Sequence, residues 1–456
     1  MVIKILKGSL VKIFKYKKSI SKREFFLALS LLKYLPVPYT LREKFNQAKW
    51  RIEEIKKEIE NEGPLAFQYP NRVLSEIHPN CKEKLIRNFL FGIAQKYRKN
   101  WKKTEREGSF TPATVLISPT MRCNLSCTGC YAKNYPKESD LPEEIFEKII
   151  KEGEEMGVFF YTILGGEPLI VFDKIYKIFK KYNSAYAQIF TNGTLINEEI
   201  AKKLQEIGNI FINFSIEGFE KETDERRGKG VFKKVIEGME LLKKYGVPHG
   251  FSVVYSRKNA DVVISDGFID LMLEKGCLWG WYFLYMPVCG DKDTSLMPTP
   301  EQRANLWKRH LEIRSKKPIV VIDFWGDAPL VGGCIAGKYY IHINNFGFVE
   351  PCIFTHFSND ELNIKNKSLK EIMASPVFKE YRKRQPFSKN LLLPCPLIDH
   401  PNQFREIREI YDLKPTHPGA ENLIGILAPQ LDEYSKEVHK IFDKIWQENY
   451  QTKFKS

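Results

Sequence analysis

A chain of 456 residues can bury two or three packed units, and a composition that is 43% hydrophobic and 28% charged excludes an intrinsically disordered protein. Nine cysteines, an odd number with no signal-peptide-like segment ahead of them, exclude the even disulfide framework of a small secreted protein and imply a reducing cytoplasm. The net charge of +15 is local, because residues 1–50 hold twelve Lys and Arg against two Glu, and with no aromatic interleaving it excludes a nucleic-acid groove.

At the amino terminus, "MVIKILKGSLVKIFKYKK" puts Val2, Ile3, Leu6, Leu10, Ile13 and Phe14 on one helical face and Lys4, Lys7, Lys12, Lys15 and Lys18 on the other. That pattern suits a helix lying on an anionic membrane surface, and equally a docked helix with a solvated basic face. "FFLALSLLKYLP" is too short to span a bilayer and stops at Pro36. With the helix-prone "EKFNQAKWRIEEIKKEIENE" and "CKEKLIRNFLFGIAQKYRKNW", these segments make residues 1–110 a basic helical region. Peripheral placement on the inner face of the membrane is one expectation. The abundance of Lys, Glu and Ile is that of many thermophile proteins.

From residue 111, strands and helices alternate. Strand-like runs fall at 113–119, 159–166, 187–193, 209–218, 249–256 and 279–288, and several of the helices between them end at glycine. Six strand and helix repeats imply an α/β fold with a parallel sheet, too few for a closed eight-stranded barrel. The expected fold is a partial (β/α)6 TIM-like barrel over 111–317, with its active face at the carboxyl ends of the strands. Beyond residue 318, "GGCIAGKYYIHINNFGFVEPCIF" reads as a hairpin flanked by Cys334 and Cys352. "LLLPCPLIDHP" carries Cys395 within an extension over 318–402, and closing helices fill 403–456.

Cys123, Cys127 and Cys130 follow the first strand at C-x3-C-x2-C. Thiolates so spaced can converge on one soft metal centre, whereas a disulfide would leave the third unexplained. A tetrahedral zinc site lacks a nearby histidine. A 4Fe–4S cube on three thiolates leaves one iron free to bind a substrate or cofactor.

With Tyr131 after the last cysteine, residues 113–315 resemble the radical S-adenosylmethionine (SAM) enzymes. The resemblance implies that the free iron chelates SAM and that one electron, from an external flavodoxin- or ferredoxin-type donor, yields a 5'-deoxyadenosyl radical. It also implies roles for later motifs. "GGEP", Gly165 to Pro168, ends the second strand and would meet the methionine amine, with Glu167 offsetting its charge, and Asn192 of "TNG" ends the third. In "SIEGFEKETDERRGKG", Ser215 and Glu217 would contact the ribose and methionyl parts and Arg227 the SAM carboxylate. Tyr131 and Met286 would pack on adenine. Singly, each motif also reads as a turn, ion pair or core residue; their order behind the cysteines carries the resemblance. Cys289 is a candidate hydrogen donor at the active site, with core packing as the other reading.

Cys334, Gly347 and Cys352 match the opening of the SPASM and twitch extensions that hold auxiliary iron–sulfur clusters, but only Cys395 follows where a full pattern has a run of cysteines. One auxiliary 4Fe–4S cluster on Cys334, Cys352 and Cys395 is expected. Its fourth position is open or taken by Asp399 or His400, with His342 and His356 as weaker candidates. The whole-chain pattern resembles a lipid-modifying branch, which implies coupling of acyl chains to form membrane-spanning lipids, with membrane lipid as partner. The alternative is peptide or protein side-chain modification, for which the helical amino-terminal region shows no winged peptide-docking element.

Overall fold

The computed structural model describes residues 14–19, 21, 65–90, 98–288, 290 and 293–450. Most of the amphipathic amino-terminal segment, all of "FFLALSLLKYLP" and residues 43–62, and Cys289 lie outside the described residues. Helices α1 (Leu65–Glu76), α2 (Pro79–Lys84) and α3 (Arg98–Arg106) precede the main sheet, in line with the helical reading of this region.

The alternation then unfolds as β1 (Thr114–Ile117), α4 (Glu143–Met156), β2 (Phe160–Ile163), α5 (Phe172–Lys181), β3 (Tyr186–Thr191), α6 (Glu198–Ile207) and β4 (Ile210–Ser215). It continues through α7 (Glu220–Arg227), α8 (Val231–Tyr245), β5 (His249–Tyr255), α9 (Asp266–Glu274) and β6 (Trp279–Leu284). Local chemistry sets these boundaries. In α6, the Asn197 side chain accepts from Ile200 N at the amino terminus, Glu198 and Glu199 complement the dipole, and Gly208 closes the helix at φ 70°. Its Ala201, Leu204 and Ile207 face the sheet and are buried.

The six expected strands are all present and mutually parallel. The sheet does not stop there. After α10 (Pro300–Lys316), β7 (Val320–Asp323) adds a seventh parallel strand beside β6. Past α11 (Ala328–Val331), β8 (Tyr340–Ile343) pairs parallel with β1 and turns back as β9 (Val349–Glu350). The order β7-β6-β5-β4-β3-β2-β1-β8-β9 is an open sheet, and the expected hairpin is its continuation, not a separate layer. The short "VVID" run hides β7 from periodicity, because four residues carry only two alternations.

Helices α12 (Leu369–Met373), α13 (Pro376–Lys383), α14 (Pro401–Ile410) and α15 (Ala428–Asn449) complete the chain. One apolar core runs from Val115 to Phe442, so the extension packs into the same interior as the barrel. Among the described residues, no helix is long and apolar enough to cross a membrane.

Candidate functional site: two three-thiol cavities

The loops leaving the carboxyl ends of β1 to β6 enclose a cavity of about 300 Å³. Cys123, Cys127 and Cys130 border it together with Tyr131, Gly165, Gly166, Asn192, Ser215, Arg227 and Met286, so the topology gathers most of the sequence-predicted residues. The cysteine loop is tied down by backbone bonds from Gly166 N to Thr120 O (2.9 Å) and from Glu167 N to Arg122 O (2.8 Å). A Cβ on Gly165 would strike Thr120 O and one on Gly166 would strike Arg122 O. The paired glycines therefore serve close approach to the cysteine loop itself. Tyr131 Oη donates to Gly165 O at 3.0 Å, and Asn192 Nδ2 donates to Asn124 Oδ1 at 2.8 Å.

Two expected contacts take other positions. Glu167 is fully buried and does not border the cavity; its carboxylate accepts from Leu169 N, Thr191 Oγ1 and Asn192 N at 2.7–2.9 Å. Burial pushes its carboxyl above the usual range while those donors pull it back. Glu167 thus locks the "GGEP" and "TNG" loops together. Glu217 is likewise withdrawn from the wall. Its Oε1 accepts from Arg226 at 2.6 Å and from Arg227 Nε at 2.8 Å.

One carboxylate cannot neutralise two guanidiniums, so an excess positive charge faces the thiols. Arg226, to which the sequence pattern gave no role beside Arg227, belongs to the wall, as does Tyr285. Within β6 the alternation sets the lumen side: Trp281 and Phe283 face the cavity while Gly280 and Tyr282 are buried off it, and at the strand's end Leu284 joins the wall.

A second cavity, of about 520 Å³, is bordered by Cys334, Cys352 and Cys395. Burial pushes the Cys334 thiol up to about 12 and the Cys352 thiol up to about 11, the latter eased by Tyr340 Oη at 2.8 Å. These groups become thiolates only with a bound cation to hold them so. Among the described residues, no three Cys, His, Asp or Glu side chains close on a single-ion site. Both thiol triplets stand around voids, an arrangement that fits a multi-iron cluster better than one ion.

None of the nitrogen and oxygen candidates for a fourth ligand borders this cavity. Asp399 is fully buried and holds Arg303 through both oxygens, at 2.5 and 3.1 Å, while accepting from Cys395 N. His400 bonds Leu393 O at 3.1 Å and does not border the cavity. His342 is held between Ser118 Oγ (2.8 Å) and Glu350 (2.7 Å), and His356 pairs with His417 at 2.7 Å. Partners distant in sequence decided this for Asp399, His342 and His356, and the nearby Leu393 carbonyl for His400. Cys81 and Cys277 are buried in apolar clusters and act as packing groups.

Residues 117–262 match the model of the radical SAM superfamily, and residues 334–396 match that of the SPASM iron–sulfur cluster-binding domain. The chain thus carries a radical SAM domain followed by a SPASM domain. Its two domains bind a 4Fe–4S cluster with SAM and an auxiliary iron–sulfur cluster, respectively. It is 32% identical to the Fe-coproporphyrin III synthase of Methanosarcina barkeri over 35% of this chain and 41% of that protein. It is 31% identical to the mycofactocin maturase MftC of Mycolicibacterium smegmatis over 44% of this chain and 52% of that one. The chain thus spans about half the length of these curated relatives. Streptococcus suis SuiB bound to S-adenosylmethionine shares the fold, with a TM-score of 0.55 at 20% identity, covering 67% of this chain and 77% of SuiB.

Proposed function

We propose that this radical SAM protein modifies a peptide or protein side chain, with its SAM-site cluster on Cys123, Cys127 and Cys130 and its auxiliary cluster on Cys334, Cys352 and Cys395. When bound, SAM and the cluster supply one-electron cleavage of the sulfonium to a 5'-deoxyadenosyl radical, which takes hydrogen from a substrate carbon. The chain's own residues hold and shield that chemistry. Arg226 and Arg227 present positive charge to the SAM carboxylate while Glu217 fixes their direction. Tyr131 and Met286 wall the adenine, and Asn192 braces the cysteine loop.

The observation that carries the reading is the wall common to both cavities. Trp281, Phe324, Ile335, Tyr340 and Phe354 border the first and the second alike. A side chain inserted between the two sites meets aromatic and aliphatic surface and is shielded from water. The named maturase and the structure of SuiB bound to precursor peptide SuiA support a peptide substrate. Acyl-chain coupling, the other expectation, finds no counterpart among the relatives named above.

The test is 5'-deoxyadenosine release by the reconstituted protein with SAM and a flavodoxin-type donor, with either the peptide fraction or the lipid extract of the source cells added. Stimulation by the peptide fraction, absent in Cys127→Ala, is the expected result. Stimulation by the lipid extract alone would overturn it.

A further inference from the structure

Beyond the thiols, the polar side chains on the wall of the second cavity are mostly donors. Tyr381 and Tyr340 are buried side chains on its wall, 0% and 4% exposed. Tyr340 Oη lies 2.8 Å from Cys352 Sγ. Tyr381 Oη is buried without a hydrogen-bond partner, although a lone buried hydroxyl costs about 1–3 kcal/mol. Trp325 Nε1, on the same wall and 4% exposed, is also without a partner. The remaining charged groups on this wall are occupied with each other, since Arg314 and Asp327 form an ion pair. Burial holds both tyrosine hydroxyls protonated, well above the ordinary phenol range.

Orphaned donors around a void call for an acceptor-rich, negatively charged occupant. The auxiliary cluster expected on Cys334, Cys352 and Cys395 is such a group, as its sulfides and thiolates accept hydrogen bonds and its charge grows more negative on reduction. We propose that Tyr381, with Tyr340 and Trp325, donates hydrogen bonds to the sulfurs of the auxiliary cluster and thereby raises its reduction potential. Donors to cluster sulfur stabilise the reduced state more than the oxidised one. Tyr381 is therefore a tuning residue and not an iron ligand. Its unpartnered hydroxyl also explains why this tyrosine is not a phenylalanine, since the ring already packs on Phe387 at 5.3 Å without it.

The inference rests on the auxiliary-cluster assignment and not on the identity of the substrate. The assignment has its own control, because Cys334→Ala must lower the iron content of the protein. The experiment is an EPR-monitored redox titration in a Cys123→Ala/Cys127→Ala/Cys130→Ala background, in which the auxiliary cluster alone is read. Tyr381→Phe is expected to keep its iron and shift the midpoint potential to more negative values, with a further shift in Tyr340→Phe/Tyr381→Phe. Tyr186→Phe removes a buried, unpartnered hydroxyl in β3, off this wall, and is expected to leave the potential unchanged.

In the same triple-alanine background after exchange into D2O, pulsed EPR of the reduced cluster is expected to show coupled deuterons, of which Tyr381→Phe loses one. An unchanged potential in Tyr381→Phe with the cluster retained would overturn the proposal. So would loss of an iron in that variant, which would make Tyr381 a ligand, or a deuteron signal that Tyr381→Phe leaves undiminished.

Discussion

Gly166 has no side chain because the cysteine loop passes where a Cβ would sit. Added there, a methyl group meets the carbonyl oxygens of both Arg122 and Met121. The clash is with backbone, so it is relieved only by moving the loop that carries Cys123, Cys127 and Cys130. Gly166→Ala is expected to fold with unchanged circular dichroism yet lose about half its iron, the share of one of two cubanes. Iron and sulfide analysis after reconstitution checks this; full iron content would show that the loop tolerates displacement. Glu167 and Glu217 act at the same scale but from behind the wall, each bracing groups that face the cavity. Their motifs were legible in the sequence. Their orientation was not, because a carboxylate's direction is set by whichever buried donors surround it, and those donors, Thr191 and Asn192 for Glu167, come from another strand.

At the scale of the element, helices and strands follow their local signals closely. The Asn197 cap, the first-turn glutamates and Gly208 bound α6 where the sequence pattern puts them. Asn197→Ala removes one cap bond from an exposed helix end and is expected to cost about 1 kcal/mol, read as a lower urea midpoint with unchanged slope. The strands that escaped notice or were misplaced in layer are the short ones. β7 has four residues, and β8 joins the sheet beside β1, more than 200 positions away, with β9 pairing back on β8. Ser118, His342 and Glu350 make that junction a continuous buried hydrogen-bonded chain. The hairpin carrying Cys352 is thereby fixed to the strand that launches the first cysteine loop, which holds the two thiol triplets in a constant relation.

Across the whole molecule, Arg303 of α10 and Asp399, four residues after Cys395, form a buried bidentate pair that joins the barrel helix to the auxiliary loop. Removing one partner strands the other charge away from water. Asp399→Ala is expected to lower unfolding stability by about 3–5 kcal/mol. Material folded at low temperature is expected to keep about eight irons, since Asp399 is a brace and not a ligand. Denaturant titration beside iron analysis checks both halves, and a protein of normal stability lacking iron would reverse the assignment.

By itself, the sequence determined the parallel α/β order, the two cysteine triplets, the tyrosine after the first and the glycine, asparagine and arginine motifs at strand ends. Periodicity and spacing are local properties, and backbone sterics translate them directly into elements and loop positions. Only the tertiary structure decided which charges line a cavity and which brace it, that Asp399 and His400 are spent, and that one aromatic wall serves both sites. Those outcomes depend on desolvation, which makes each buried polar group take a partner near it in space, and nearness across a nine-stranded sheet is not written in any one segment of the chain.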